Sequence, residues 1–191
     1  MCEKSHIFLK QIIVLNNNKC MVVKENKNLN DSERLDIWNI LVETDNEFVP
    51  PLSSRSGTTQ SNLNDVESVG VPEDYFDALM EQYFVYIVEG GHIVAFLSYR
   101  RDHHVTYDGL DLTGDYISTV ATTKACRNKG YLQLLYKSLF NARDGHKFIT
   151  RTWSTNDSHI HVLEKLGFKL IDRIKNDRGE GVDTVIYLKE E

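Results

Sequence analysis

The sequence predicts an α/β domain in which helices pack on a mixed, largely antiparallel sheet. Three observations carry this. Segments rich in β-branched and aromatic residues alternate with segments of helical period, in the order β-α-α-β-β-β-α-β-α-β-β. Two pairs of strand-like segments are joined across glycine-bearing turns, Gly90-Gly91 and 177–181, and read as antiparallel hairpins. Between these hairpins, the strand Asp115 to Thr122 enters a helix through a short turn bearing Arg127, Lys129 and Gly130.

The elements follow in order. Residues 6–15 and 20–25 read as strands around Asn16-Asn17-Asn18, an asparagine-rich turn. Asp31-Ser32-Glu33 opens a helix to about residue 46, with Leu35, Trp38, Leu41 and Val42 on its apolar side. Pro50-Pro51 stops it. Leu52 to Ser68 is the longest polar segment, and such a segment is either a functional loop or a mobile surface one. Pro72-Glu73-Asp74, a proline with acids in the first turn, starts a helix to about Gln82. Phe84–Glu89 and Ile93–Arg101 form the first hairpin. Asp102 to Gly114 reads as a polar connection, and its His103 and His104 carry no assigned role. After the strand from Asp115, Leu132, Leu135, Tyr136, Leu139 and Phe140 fall on one helical stripe. Lys147–Trp153 is a strand, and Asn156 caps the next helix with Asp157 in its first turn. Lys169–Lys175 and Val182–Lys189 make the last hairpin.

A length of 191 residues fits a single domain, 1–191, with a substantial core. The chain is 41% hydrophobic and 26% charged, which is ordinarily globular. A net charge of −6 argues against a general nucleic-acid binder and favours cationic partners. Cys2, Cys20 and Cys126 are scattered without metal spacing, so no metal is expected and a reducing compartment is. Cys126 reads as an activated thiol beside the basic turn or, more simply, as a packed one. No apolar run is long enough to span a membrane and no secretory signal is recognisable, so the expected location is cytoplasmic. The sequence is compatible with a homodimer.

The basic turn is where chemistry concentrates. A helix start offers unpaired N–H donors and positive dipole potential. A glycine there lets a phosphate approach the backbone closely. The bland alternative is a basic helix start with a glycine turn.

Two stretches together resemble the GNAT N-acetyltransferase superfamily. The first is Arg127-Asn128-Lys129-Gly130-Tyr131-Leu132 after one strand. The second is the helix begun by Asn156 and ended by Glu164-Lys165-Leu166-Gly167-Phe168 after the next strand. The resemblance covers roughly residues 20–191, leaving 1–19 as an extra strand and turn. Leu132 departs from the family's usual Gly or Ala, and Leu163 stands where many members carry tyrosine.

The resemblance implies a sheet splayed between the family's fourth and fifth strands, 115–122 and 147–153, with acetyl-CoA as cosubstrate lying in the V. It implies that the backbone of Val120, Ala121 and Thr122 binds the pantetheine arm. It implies that amides from Arg127, Asn128, Lys129, Gly130, Tyr131 and Leu132 cradle the pyrophosphate, and that Asn156 contacts the pantetheine or simply caps its helix. The reaction is then acetyl transfer to a primary amine of a small molecule or peptide, with an N–H near Val120 or Ala121 facing the thioester oxygen.

The amine has a pKa of about 10.4 and must lose a proton. Some members use a carboxylate near the start of the fourth strand, where Asp115 lies. Strand alternation puts Asp115, Ile117, Thr119 and Ala121 on one face. Asp115 also reads as a strand-entry residue on the surface, with Tyr116 as the neighbouring candidate. Leu163 cannot protonate the leaving thiolate, for which Ser158, Tyr131 and water are the alternatives. His159 and His161 read as solvated helix-face residues. A second function class is a non-catalytic acyl-CoA-binding module on the same fold. Glu43, Asp45, Glu47, Asp65 and Glu67 suggest an acidic entrance, hence a cationic acceptor.

Overall fold

A computed structural model of the chain describes residues 12–16, 19–60, 63, 70–107 and 109–190. Among these residues eight strands form one sheet in the order β1-β2-β3-β4-β5-β6-β8-β7. They are β1 (Ile12–Asn16), β2 (Lys19–Asn26), β3 (Tyr83–Glu89), β4 (His92–Tyr107), β5 (Leu110–Thr122), β6 (Phe148–Trp153), β7 (Lys169–Ile174) and β8 (Thr184–Lys189). Among the described residues four α-helices accompany them: α1 (Asp31–Thr44), α2 (Glu73–Met80), α3 (Tyr131–Ala142) and α4 (Asp157–Lys165). Every neighbouring pair of strands is antiparallel except β5 and β6. The expected mixed, mostly antiparallel sheet flanked by helices is the fold. The part of the first expected strand at residues 6–11 lies outside the described residues.

Both faces of the sheet are covered, which is why its central strands are near-continuous apolar runs. Along β3, Phe84 and Tyr86 pack with α1 and α2, while Val85 and Ile87 pack with α3. β4 repeats this, with Phe96 on the first face and Ala95, Leu97 and Tyr99 on the second. Gly90 and Gly91 have φ of 59° and 88°, the left-handed pair that a two-residue hairpin turn requires.

Two expectations need correction. The buried stripe of α1 is Ile37, Ile40, Leu41 and Thr44, whereas Leu35 and Val42 are 58% and 41% exposed. Positions 37, 40, 41 and 44 satisfy helical spacing as well as the expected set, and contact with Phe84, Tyr86 and Phe96 selects them. The start is local: Asn30 and Glu33 form a reciprocal capping box, with bonds of 3.0 and 3.1 Å.

The second correction concerns 102–114. This segment is not a connection but the outer half of a long hairpin, with His103 opposite Gly114 and Val105 opposite Leu112. Its polar residues alternate with Val105 and Leu112, which pack on Tyr116, Ile149 and Ile186. One apolar residue in two suffices when one face alone is covered.

Candidate active site

The site is made by a fault in β5. Thr119 pairs with Ser98 and Ile117 with Tyr99, leaving Ser118 as an extra residue, a β-bulge. The parallel pairing of β5 with β6 runs from Asp115 to Ile117 and ends there. From Ser118 onward β5 is bonded to β4 on one side and faces open space on the other. The sheet splays where the resemblance placed the V, between the family's fourth and fifth strands.

The bulge also overturns the expected alternation. Asp115 and Ile117 face α3, with Ile117 in its core cluster and Asp115 bonded to Arg143 near the helix's end. Beyond the bulge, Thr119 and Ala121 face the α1 and α2 side, where the Thr119 hydroxyl lies 2.8 Å from the Tyr75 hydroxyl. Ser118 Oγ donates to Gln82 Oε1 at 2.6 Å, and Gln82 Nε2 donates to Thr58 Oγ1 at 2.8 Å. This chain of bonds ties the segment after α1 to the fault. The described part of the long polar segment is accordingly packed, with Leu52, Ser53, Thr58 and Leu63 all buried.

A cavity of about 670 Å³ occupies the V. Its wall includes Val120, Ala121, Thr122, Arg127, Asn128, Lys129, Gly130, Tyr131, Leu132 and Asn156, so the structure gathers the whole expected cofactor set in one place. Gly130 is the N-cap of α3 with φ 76°, and no side chain caps the helix. Its first-turn N–H groups therefore look into the cavity edge uncapped. A side chain at Gly130 would meet nothing within 4 Å, so the glycine is there for its backbone and for the space beside it. Asn156 caps α4, accepting from His159 N at 3.4 Å while its Nδ2 donates to Thr152 Oγ1 at 3.0 Å.

The cations of the turn are paired. Arg127 Nη2 lies 2.7 Å from Glu47, Lys124 Nζ 3.6 Å from Glu47 and Lys129 Nζ 3.3 Å from Glu89. Glu43 accepts from Lys124 N at 3.1 Å. Asp45 is buried and accepts from Ser53 N and Oγ. Glu43, Asp45 and Glu47 thus serve the turn and the segment after α1 rather than an acidic entrance, while Asp65 and Glu67 lie outside the described residues.

The two catalytic candidates separate. Tyr116 lines the cavity. Asp115 does not. It is fully buried, accepts Arg143 Nε at 2.7 Å and Nη2 at 3.0 Å, and accepts Asp102 N at 3.1 Å. Asp102, Asp115 and His146 bring metal-type ligand atoms together. The Arg143 Nη2 already sits among them, 3.6 Å from Asp102 Oδ2 and 3.2 Å from His146 Nδ1, and supplies the positive charge. That hydrogen bonding to Asp115 raises the Arg143 pKa above its ordinary value.

Leu163 is fully buried in the core cluster of α3, outside the cavity wall, so a hydroxyl is missing there because the position packs. Tyr131 and Ser158 do reach the wall. His159 is not a solvated residue: its Nε2 is 2.8 Å from the Tyr136 hydroxyl, and burial lowers its pKa from 6.5 to about 4. His161 is exposed as expected. Because the folded protein resists protonating His159, the unfolded chain binds more protons between those two values. Stability is full above pH 6.5 and falls as pH drops toward 4. His159→Gln is expected to flatten the fall in melting temperature across that window, and a curve parallel to wild type would contradict it.

Sequence reasoning missed the other wall, where Arg55, Thr58, Gln60, Arg151 and Arg178 line the cavity. One signal was available. Arg151 lies in a strand between Ile149 and Trp153 at period two, and a charge on an apolar face is there for a reason.

The fold recurs in solved proteins. An N-acetyltransferase from Staphylococcus aureus matches with TM-score 0.62 at 12% identity, over 88% of this chain and 98% of that one. The Salmonella typhimurium protein yncA, whose structure contains acetyl-CoA, matches with TM-score 0.59 at 17% identity, over 89% and 93% of the two chains. A GNAT-family acetyltransferase from Bacillus cereus matches with TM-score 0.56 at 15% identity, over 88% and 97%. No curated protein sequence matches this one. At such identities these structures speak for the fold alone. The sequence itself matches the acetyltransferase (GNAT) family over residues 54–168, more than half of the chain, in the segment that builds the bulge, the basic turn and α4. The chain belongs to the acetyltransferase (GNAT) family.

Proposed function

We propose that the protein transfers the acetyl group of acetyl-CoA to a primary amine by direct attack in a ternary complex. One observation carries this reading. The edge of β5 from Ser118 to Thr122 is released from β6 into a cavity whose next wall is the uncapped start of α3. An extended pantetheine arm fits such an edge as an added strand, with Val120, Ala121 and Thr122 offering main-chain bonds. The amides from Arg127 to Leu132 fit the pyrophosphate, and Asn156 is within the same wall. Leu132 is half-buried against the α3 core, so its larger side chain leaves the amide available.

In the reaction the amine nitrogen attacks the thioester carbonyl carbon. The C–N bond forms, the C–S bond breaks, and the proton lost by nitrogen equals the one gained by the CoA sulfur. Among the described residues the cavity wall carries one carboxylate, Glu47, held by Arg127 and Lys124. We assign proton removal to Tyr116 or water, and positioning supplies much of the rate. Tyr131 and Ser158, both in the cavity wall, are our candidates to protonate the thiolate. We read 1–191 as one domain, cytoplasmic and without a resident metal. No helix among the described residues is long and apolar enough to cross a membrane.

The absence of a free carboxylate from the described wall favours one competing reading, an acyl-CoA-binding module without turnover. A panel of amines with acetyl-CoA, read by thiol release and by the mass of the product, separates the two. Release matched by one acetylated amine is expected. Tight CoA binding with no amine acetylated would leave the binding module.

A further inference from the structure

The cavity has two ends. The cofactor wall belongs to the edge of β5, the basic turn, α3 and α4, and the opposite end lies on the other face of the sheet. There Arg151 shares the strand face of Ile149, next to Tyr116, while Arg55 enters from the segment after α1 and Arg178 from the β7–β8 turn. These three residues are far apart in sequence and converge on one end of one cavity. Resting on the acetyl-transfer reading, we propose that Arg55, Arg151 and Arg178 bind a carboxylate of the acceptor, which is a small amino acid-like amine rather than a polycation.

The guanidiniums are mounted on aromatic rings. Arg55 sits 5.7 Å from the Phe48 ring centre and 5.9 Å from that of Tyr75. Arg151 is 6.0 Å from Tyr116 and Arg178 is 5.9 Å from Trp153. Hydrogen bonds fix them further. Arg55 Nε and Nη2 donate to the Pro50 carbonyl at 3.1 and 2.6 Å. Arg178 Nε donates to Thr184 Oγ1 at 2.8 Å and its Nη1 to the Val49 carbonyl at 2.7 Å. Arg151 Nη2 donates to the Gln60 carbonyl. For Arg55 and Arg178 these partners are neutral and engage two of the five donors of each fork. A planar fork held in place is suited to bidentate recognition of a carboxylate.

The electrostatics agree. Burial first, then the nearby charges of Arg55 and Arg151, pull Arg178 down to about 9. Burial likewise lowers Arg55. Asp45 and Asp177 lie near and offset part of that positive charge, Asp45 on Arg55 and Asp177 on Arg178, while accepting from Ser53 and from Thr184 Oγ1 at 2.6 Å. An anion bound among the arginines relieves their mutual repulsion, whereas a polycation adds to it. The same field lowers the pKa of the acceptor's ammonium, which favours the neutral amine in a cavity whose described wall has no free carboxylate base. The cofactor's phosphates are served by the turn before α3, at the opposite end.

The test compares each of several L-amino acids with its own carboxamide, and both with spermidine, using acetyl-CoA as donor. The carboxylates are expected to exceed the carboxamides by about 10- to 100-fold in kcat/KM. Arg55→Gln and Arg151→Gln are each expected to collapse that ratio toward one while CoA affinity is kept. Arg178 is bonded to the main chain and 6% exposed, so it is left in place. Carboxamides or spermidine preferred by the wild type, or a ratio unchanged in both variants, would overturn the proposal. If CoA binds and no amine is acetylated, the transfer reading fails by itself. Calorimetry of N-acetyl amino acids on the CoA complex then decides. Binding that Arg55→Gln removes upholds the arginine site, and no binding to wild type rejects it.

Discussion

Gly130→Asp is expected to abolish CoA binding with little change in fold. Two effects act together. The residue has φ 76°, so any side chain there is strained, at a cost of about 1–2 kcal/mol that a domain of this size absorbs. The new carboxylate would then project into the open space beside the uncapped α3 start, where the cofactor's diphosphate is proposed to sit. Like charges at contact distance and a blocked backbone approach both oppose binding. Arg127→Ala is expected to weaken binding far less, by about tenfold or under, because Arg127 is half-exposed and paired with Glu47 and the backbone amides remain. Calorimetry with CoA checks both. Wild-type affinity in Gly130→Asp would move the cofactor elsewhere in the cavity.

The second large effect is on stability. Asp115→Asn is expected to destabilise the fold by about 3–5 kcal/mol, since it leaves the Arg143 charge without its buried partner. For a domain of this length that lowers the melting temperature by roughly 10 °C. Arg143 joins the end of α3 to Asp115 inside β5, at the point from which β5 and β6 run together to Ile117. Loosening it should blur the splay as well. Asp115→Leu combined with Arg143→Leu should regain part of the loss, because it removes both charges at once. A catalytic Asp115 would behave differently. Asp115→Asn would then melt like wild type, and turnover would lose the basic or acidic limb of its pH profile.

Much of this protein was determined by sequence-local physics. The two hairpins follow from glycines that accept left-handed backbone and from runs that suit a covered sheet. The helix starts follow from Asn30 with Glu33 and from Asn156, whose side chains satisfy orphan N–H groups within three residues. The basic turn and the proposed cofactor wall were legible for the same reason. They are one continuous stretch from β5 into α3, plus one cap.

What tertiary structure decided has a common cause, which is that it depends on partners distant in the chain. The apolar stripe of α1 could take either of two phases until Phe84, Tyr86 and Phe96 selected one. The face of Thr119 and Ala121 was inverted by an extra residue at Ser118, and strand period alone cannot register a bulge set by pairing with β4 and by Gln82. Asp115 was withdrawn from the cavity by Arg143. Arg55, Arg151 and Arg178 carry no shared motif. Sheet order brings β6 and the β7–β8 turn beside the segment after α1, and burial on aromatic rings turns three separate surface-type residues into one charged wall.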